Sequence, residues 1–133
     1  MAKSVLPRVQ AMVLCDALQE SNEESGVFRL DGVRCILDAP SFPAFRPRLC
    51  IFLQMTGHAG RANCHIEIDR SELAEVIYQS APKAIAFESP ATVEPVFFRL
   101  RNCVFPAPGL YYVQLFDEGK LIGERPLLVR ESG

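Results

Sequence analysis

Apolar and polar residues alternate along most of the chain, and this alternation predicts β-strands. The clearest example is Ala62–Asp69, in which every second residue is apolar. Side chains of a strand point alternately to its two faces, so a period of two is typical of a strand with one face on a core. The same pattern occurs in Arg8–Cys15, Arg48–Thr56, Glu94–Asn102 and Leu110–Phe116. The residues predicted to face the core are Val9, Ala11, Val13, Cys15, Leu49, Ile51, Leu53, Met55, Ala62, Cys64, Ile66, Ile68, Val96, Phe98, Leu100, Tyr111, Val113 and Leu115.

Two segments leave alternatives open. In Gly26–Leu37 the apolar residues change parity after Gly32, which predicts either a β-bulge beside Gly32 or two strands joined by a turn at Asp31 and Gly32. In Ser71–Gln79 the apolar residues fit helical spacing, but the segment is short and lies between strand patterns. A helix and the return strand of a hairpin are therefore both compatible with Ser71–Gln79.

Turn-forming residues separate these segments at short intervals. Glu20–Ser25 predicts an acidic turn, the proline-rich Ala39–Pro47 an irregular connection, and Asp117–Lys120 a hairpin turn. Pro126 indicates that the last strand, Leu121–Arg130, lies at a sheet edge, because proline cannot donate to a central ladder. Seven to nine short strands with such spacing predict an all-β, antiparallel sandwich that forms a single domain over residues 1–133.

The segment Phe105–Val129 combines a Pro-Gly-x-Tyr sequence, an alternating strand, a short turn with glycine and a final strand. It resembles the closing hairpin of many bacterial immunoglobulin-like sandwiches. Together with Leu14–Leu18 and Ala39–Ala44, the chain resembles an uncharacterised family of small bacterial single-domain proteins. The resemblance implies an immunoglobulin-like sandwich with Tyr111 at a tyrosine corner. It implies no activity and no site residue, because its motifs are turns and strands.

Composition narrows the class of protein. The chain has 133 residues and a net charge of −2, which excludes a strongly basic nucleic-acid binder. No apolar run is long enough to cross a membrane, and no secretory signal pattern opens the sequence, so we expect a cytoplasmic protein without a membrane partner. The five cysteines are odd in number and lack a C-x-x-C pair, which predicts reduced thiols buried as small apolar residues.

One candidate for chemistry lies on the polar face of Ala62–Asp69. His65, Glu67 and Asp69 are spaced two residues apart on that face, and His58 lies before it in the chain. Imidazole and carboxylate groups can hold a metal or transfer protons, so a small metal-dependent protein or enzyme is one hypothesis. A solvated sheet face is the simpler interpretation, and we expect no cofactor. Cys64 neighbours His65 but points to the opposite face, which disfavours a catalytic pair.

A second candidate combines arginines with phenylalanines. The chain has eleven arginines and three lysines, and arginine and aromatic residues are enriched at protein interfaces. The interface candidates are Phe97, Arg99 and Arg101 on the outward face of one strand, and Phe42, Phe45 and Arg46 in the proline-rich segment. Nucleic acid or carbohydrate is a less favoured ligand, and the chain has no tryptophan.

The leading hypothesis is therefore a non-enzymatic binding or protein-interaction module. A scaffold subunit of a larger assembly is a further alternative. The outward Phe97 and a C-terminal strand at an edge with few lysines also predict self-association, most simply as a two-fold homodimer.

Overall fold

A computed structural model describes residues 6–57 and 60–132, and it contains ten strands there. The strands are β1 (Arg8–Glu20), β2 (Phe28–Val33), β3 (Ile36–Ala39), β4 (Ala44–Thr56), β5 (Gly60–Arg70), β6 (Glu75–Gln79), β7 (Lys83–Phe87), β8 (Val93–Phe105), β9 (Gly109–Asp117) and β10 (Lys120–Glu131). This part of the chain has no helix, and so no helix that could cross a membrane.

The strands form two sheets, which confirms the predicted antiparallel β-sandwich. The first sheet has the order β2-β1-β4-β8, and the second has the order β3-β10-β9-β5-β6, with β7 on the same edge of β5 as β6. All strand pairs are antiparallel except β3 with β10. The count exceeds the predicted seven to nine because Gly26–Leu37 supplies two strands and the five-residue β7 was not recognised in the sequence.

The core lies between the two sheets and confirms four of the five predicted apolar sets. Inward residues of β4, β5, β8 and β9 are almost completely buried. Tyr111 is fully buried while Tyr112 is half-buried, as the parity of β9 predicts. The hydroxyl of Tyr111 donates to the carbonyl oxygen of Ala107 at 2.6 Å, so the buried phenol is hydrogen-bonded at the corner before β9.

In β1 the predicted inward set is wrong beyond Val9. The register of β1 against β4 shifts between Val9 and Ala11, which is the mark of a β-bulge. After the shift, Met12 and Leu14 face the core with Val9. Val13 and Cys15 instead lie on the outer face of the first sheet.

In Gly26–Leu37 the parity does change at Gly32, whose φ is 67°, but neither predicted arrangement is found there, because the register of β2 against β1 is the same on both sides of Gly32. The segment does contain two strands, but no turn joins them at Asp31 and Gly32. The chain leaves the first sheet after Val33 and enters the second sheet at Ile36. Cys35 lies in this crossover and is exposed, whereas the other four cysteines are buried; all five are free thiols.

The remaining turns lie where the sequence predicts them, except that the irregular connection predicted at Ala39–Pro47 is shorter. Ser71–Gln79 is a turn followed by the hairpin strand β6, not a helix. Glu118 and Gly119 both have positive φ, 47° and 85°, between β9 and β10. This connection ends before Pro47, because β4 already begins at Ala44. Pro47 therefore lies within β4, opposite Asn102 of β8, and the ladder between the two strands skips this pair.

Side chains cover parts of the sheet edges. β8 forms one edge of the first sheet; there the Lys83 ammonium donates to the carbonyl oxygen of Phe97, and the amide of Arg101 donates to the Tyr78 hydroxyl. β10 is only partly an edge strand, because β3 pairs with Leu128–Glu131 alone. In the part of β10 that β3 leaves unpaired, the side chain of Arg125 donates to the carbonyl oxygen of Met12 in β1.

Candidate interaction surface

The first sheet is apolar on both faces. On its outer face Cys15, Leu18, Cys50 and Phe52 are buried against one another, and four half-buried residues pack on them, namely Val13, Phe28, Leu30 and Phe97. We call these eight residues the outer cluster. The uninterrupted apolar run Leu49–Leu53 in β4 follows from this arrangement, because alternate residues of β4 enter the main core and the outer cluster.

Three phenylalanines form the aromatic part of the outer cluster. The Phe28 ring lies 5.0 Å from that of Phe52 and 6.1 Å from that of Phe97, in tilted and edge-on arrangements. Two cations lie over the Phe97 ring: the Lys83 ammonium and the Arg99 guanidinium are both 4.7 Å from its centroid. Phe97 is therefore half-buried and already in contact on several sides, not an isolated exposed ring.

Next to the outer cluster lies a group of like charges, which we call the arginine row: Arg48, Arg99 and Arg101. Arg48 and Arg101 are directly opposite in the ladder of β4 and β8, and Arg99 follows on the same face of β8. Among residues 6–57 and 60–132, no carboxylate lies within ion-pair distance of these three. Like charges directly opposite each other destabilise a sheet. The repulsion between Arg48 and Arg101 therefore lowers the stability of this sheet locally, and a bound anion would reduce that repulsion.

The arginine row borders a cleft at which β1 and β4 diverge. The two strands pair as far as Cys15 and Cys50; beyond that point, β1 pairs only with β2, and β4 only with β8. The cleft has a volume of about 130 Å³ and is lined by Asp16–Leu18, Arg48–Cys50 and Arg99–Arg101. We call it the fork. Arg99 spans it, donating to the carbonyl oxygen of Leu18 at 3.4 Å.

Among the residues that the structure describes, Asp16 is the one acidic residue that lines the fork. Both of its carboxylate oxygens accept hydrogen bonds from the Arg34 guanidinium, each at 2.8 Å. These bonds from Arg34 hold the pKa of Asp16 below its usual value. The Asp16 charge is therefore already paired, and the free charge around the fork is positive.

A shallow groove of about 450 Å³ lies on the other side of the arginine row. Its walls are Tyr78, the connection Ser80–Pro82, Lys83 at the start of β7, and residues of β8 that include Phe97, Arg99 and Arg101. Arg99 and Arg101 line both the fork and this groove. Burial, and secondarily the nearby Arg99, lowers the pKa of Lys83.

The structure brings together only part of the interface set predicted from the sequence. Phe97, Arg99 and Arg101 share one face, as their parity predicts. Phe42 packs against the main core instead, and half-buried Arg46 lies further along β4. Phe45 is exposed and pairs with exposed Val104. Arg48, Lys83, Phe28 and Phe52 complete the surface but were not among the predicted site residues. The apolar run Leu49–Leu53 was a signal for Phe52 alone.

His65, Glu67 and Asp69 lie on the outer face of the second sheet. His65 Nε2 and Glu67 Oε2 are 2.8 Å apart, and the His65 ring stacks on Phe116 at 5.2 Å. Asp69 does not join them: its Oδ1 has no hydrogen-bond partner, and burial, followed by the charges of Glu124 and Glu67, raises its pKa. Thus the His65 imidazole is hydrogen-bonded to the Glu67 carboxylate and not to that of Asp69.

No group of three histidine, cysteine or acidic side chains suited to a metal ion occurs in the described part of the chain. His58, the other histidine, lies outside the described residues. Cys64 is in the main core, whereas His65 is on the outer face, so the two point away from each other as expected.

The fold and this surface define a two-sheet antiparallel β-sandwich that carries an apolar and arginine-rich patch on the outside of its smaller sheet. The chain belongs to DUF6941, a family of unknown function, whose model matches residues 10–130. No curated protein matches the chain.

Proposed function

We propose that the protein is a non-enzymatic interaction module of the bacterial cytoplasm that binds a protein partner on the outer face of its first sheet. The observation that supports this function is the arginine row, which lies beside the outer cluster and has no carboxylate partner within the described part of the chain. Arginine and aromatic residues provide much of the binding energy in protein interfaces. The partner is expected to present negative charge to the row.

Membership in a bacterial immunoglobulin-like lineage is part of the same proposal, with residues 1–133 as one domain. Tyr111 supports it, because a tyrosine corner has its hydroxyl bonded to the backbone a few residues upstream, as here at Ala107. Domains of this shape commonly act through the outer faces of their sheets or the loops at their ends, and they need no catalytic group to do so.

A second copy of this chain is the alternative occupant of the face. A two-fold homodimer with Phe97 at its axis would bring the two arginine rows close together, because Arg99 lies two residues from Phe97 on the same face of β8, and the like charges would repel. An acidic partner is therefore favoured over a homodimer. Sedimentation at micromolar concentrations decides between them: a dimer that Phe97→Glu abolishes would show that a second copy takes the face and would overturn the proposed partner.

In-cell cross-linking tests the proposed function. A photoreactive phenylalanine analogue replaces Gln54, an exposed residue beside Phe52 on β4; the control site is Leu121, exposed on β10 of the second sheet. We expect irradiation to join another protein to the site at Gln54 but not to the one at Leu121. Replacing Arg99 and Arg101 together by glutamate is expected to remove the product.

Three outcomes would contradict the proposal. These are a product at Leu121 only, a product at Gln54 that survives both charge reversals, and no product at either site. Circular dichroism of the doubly substituted protein, with a melting curve like that of the parent, ensures that loss of the product reflects the surface rather than unfolding.

A further inference from the structure

We infer that the segment of the partner recognised here is a short, extended acidic stretch of polypeptide, with a carboxylate bound by the arginine row at the fork. This inference rests on the proposed function, since it names the chemistry of the partner at the same face. It specifies the fork as the subsite, the direction in which the bound segment leaves it, and the acidic character of that segment.

The size of the fork favours a side chain over a small molecule. Pockets for small ligands span about 300–1,000 Å³, whereas the fork has about 130 Å³. Guanidiniums reach it from two strands, Arg48 on β4 and Arg99 and Arg101 on β8. Guanidinium groups bind carboxylates through paired hydrogen bonds, and Asp16 does not compete because Arg34 already pairs with it.

The groove beyond β8 extends the subsite in one direction. Because Arg99 and Arg101 line both the fork and the groove, a chain held by its carboxylate at the fork passes directly over β8. There it meets Pro82 and the half-buried Phe97. We therefore expect an apolar residue close to the acidic one in the bound segment.

The same geometry disfavours single-stranded nucleic acid, the other common polyanion. Its bases bind by stacking on open aromatic faces. Lys83 and Arg99 lie over the Phe97 ring, and Phe28 packs edge-on to it. Phe52 is buried within the outer cluster. The rings therefore act as packing groups, and the charges around them remain free for a carboxylate.

Fluorescence anisotropy with defined probes tests the inference. The first probe is a fluorescein-labelled peptide of alternating glutamate and serine with one central phenylalanine; the second carries glutamine in place of each glutamate. We expect the acidic peptide to bind and the amide peptide to bind at least about tenfold more weakly, with added salt weakening the acidic complex. Arg48→Gln and Arg101→Gln are each expected to raise its Kd by about two- to fivefold, as for exposed ion pairs.

A matched control removes the same charge elsewhere. Arg61 is an exposed arginine on β5 of the second sheet, and Arg61→Gln is expected to leave the Kd of the acidic peptide unchanged. Amide chemical shifts in the complex should change around Arg48, Arg99 and Arg101.

Several outcomes would overturn the inference: equal binding of the amide peptide, an equal effect of Arg61→Gln, no binding of the acidic peptide, or tighter binding of oligothymidylate through the same arginines. If cross-linking at Gln54 succeeds while the acidic peptide fails, the interaction module stands and only the acidic segment is rejected. If both fail, the interaction face itself is rejected.

Discussion

Asp16 is held from two sides at the fork. Arg34 donates two hydrogen bonds to its carboxylate, while the backbone of Gly32 runs directly beside it. A Cβ atom at Gly32 would clash with Asp16 Oδ2 and lie 2.8 Å from Asp16 Cγ, and the φ of Gly32 is +67°. Glycine is thus required for the conformation and also for the space that the ion pair occupies.

Replacing Gly32 by alanine tests this double requirement. Gly26 is the matched control, since its φ is +80° but no atom lies within 4 Å of the position that a Cβ atom would take there. We expect Gly26→Ala to lower the free energy of unfolding by about 1 kcal/mol through backbone strain alone. Gly32→Ala should cost about 2–3 kcal/mol, because it also displaces the Asp16 carboxylate. Urea denaturation measures the free energy of unfolding of both variants. Equal decreases for Gly26→Ala and Gly32→Ala would show that the close approach of Gly32 to Asp16 does not affect stability.

The hydroxyl of Tyr111 provides a second test at the scale of one residue. Tyr111→Phe removes the hydrogen bond to the partly buried Ala107 carbonyl, so we expect a loss of about 0.5–1.5 kcal/mol in the free energy of unfolding. Tyr112→Phe, on the half-buried outer face of the same strand, should change little. A neutral Tyr111→Phe would remove the support that this corner lends to an immunoglobulin-like lineage.

Among the elements, the hairpin of β9 and β10 has one residue ill suited to its turn. Glu118 has a φ of 47°, a region that asparagine adopts more readily than glutamate, and Gly119 follows it at 85°. We expect Glu118→Asn to raise the free energy of unfolding by a few tenths of a kcal/mol. Glu23→Asn, in the turn after β1, lacks that conformation and should have no such effect. Thermal unfolding of both variants decides, and a destabilising Glu118→Asn would contradict the argument.

Local pattern was sufficient for some elements and not for others. The alternation in β5 and β9, and in β8 as far as Leu100, predicted which residues face the core, because each of these stretches keeps one parity where it packs against the other sheet. Beyond Asn102, which has a positive φ, the parity of β8 changes and Cys103 and Phe105 face the core. The strand β1 was predicted, but its core-facing residues were not, because its bulge between Val9 and Ala11 lies where β1 approaches β10, which has its own register shift before Gly123. Such contacts join distant parts of the chain and leave no local pattern.

The candidate surface shows the same division. Parity alone placed Phe97, Arg99 and Arg101 together on β8. The fork could not be inferred, because it depends on where β1 stops pairing with β4, and Lys83 reaches the surface from a strand that the sequence did not reveal.

For the molecule as a whole, a net charge of −2 conceals an uneven distribution. Unpaired arginines gather outside the first sheet, while Glu67, Asp69 and Glu124 lie together outside the second. The arginine row should therefore give a locally positive potential, which favours encounter with an acidic partner and makes that encounter sensitive to salt.

Thiol reactivity reports on the packing of the whole molecule. Cys35 is exposed and the other four thiols are buried; burial raises the pKa of Cys64 and of Cys103 to about 12. We expect Ellman's reagent to react rapidly with one thiol in the native protein and with five after denaturation, without added reductant. Cys35→Ser should abolish the fast phase. Three rapidly reacting thiols, or a total below five, would contradict the buried, reduced arrangement.

The edge position of β8 bears on the tendency of the protein to aggregate at high concentration. A strand of thirteen residues at a sheet edge is a template on which other chains can add, and it is long enough to seed cross-β fibres. Lys83 and Tyr78 occupy two of its backbone groups from the neighbouring sheet. We therefore expect the segment from Tyr78 to Lys83 to protect this edge from added strands, and we expect a proteolytic cut between β6 and β7 to increase aggregation.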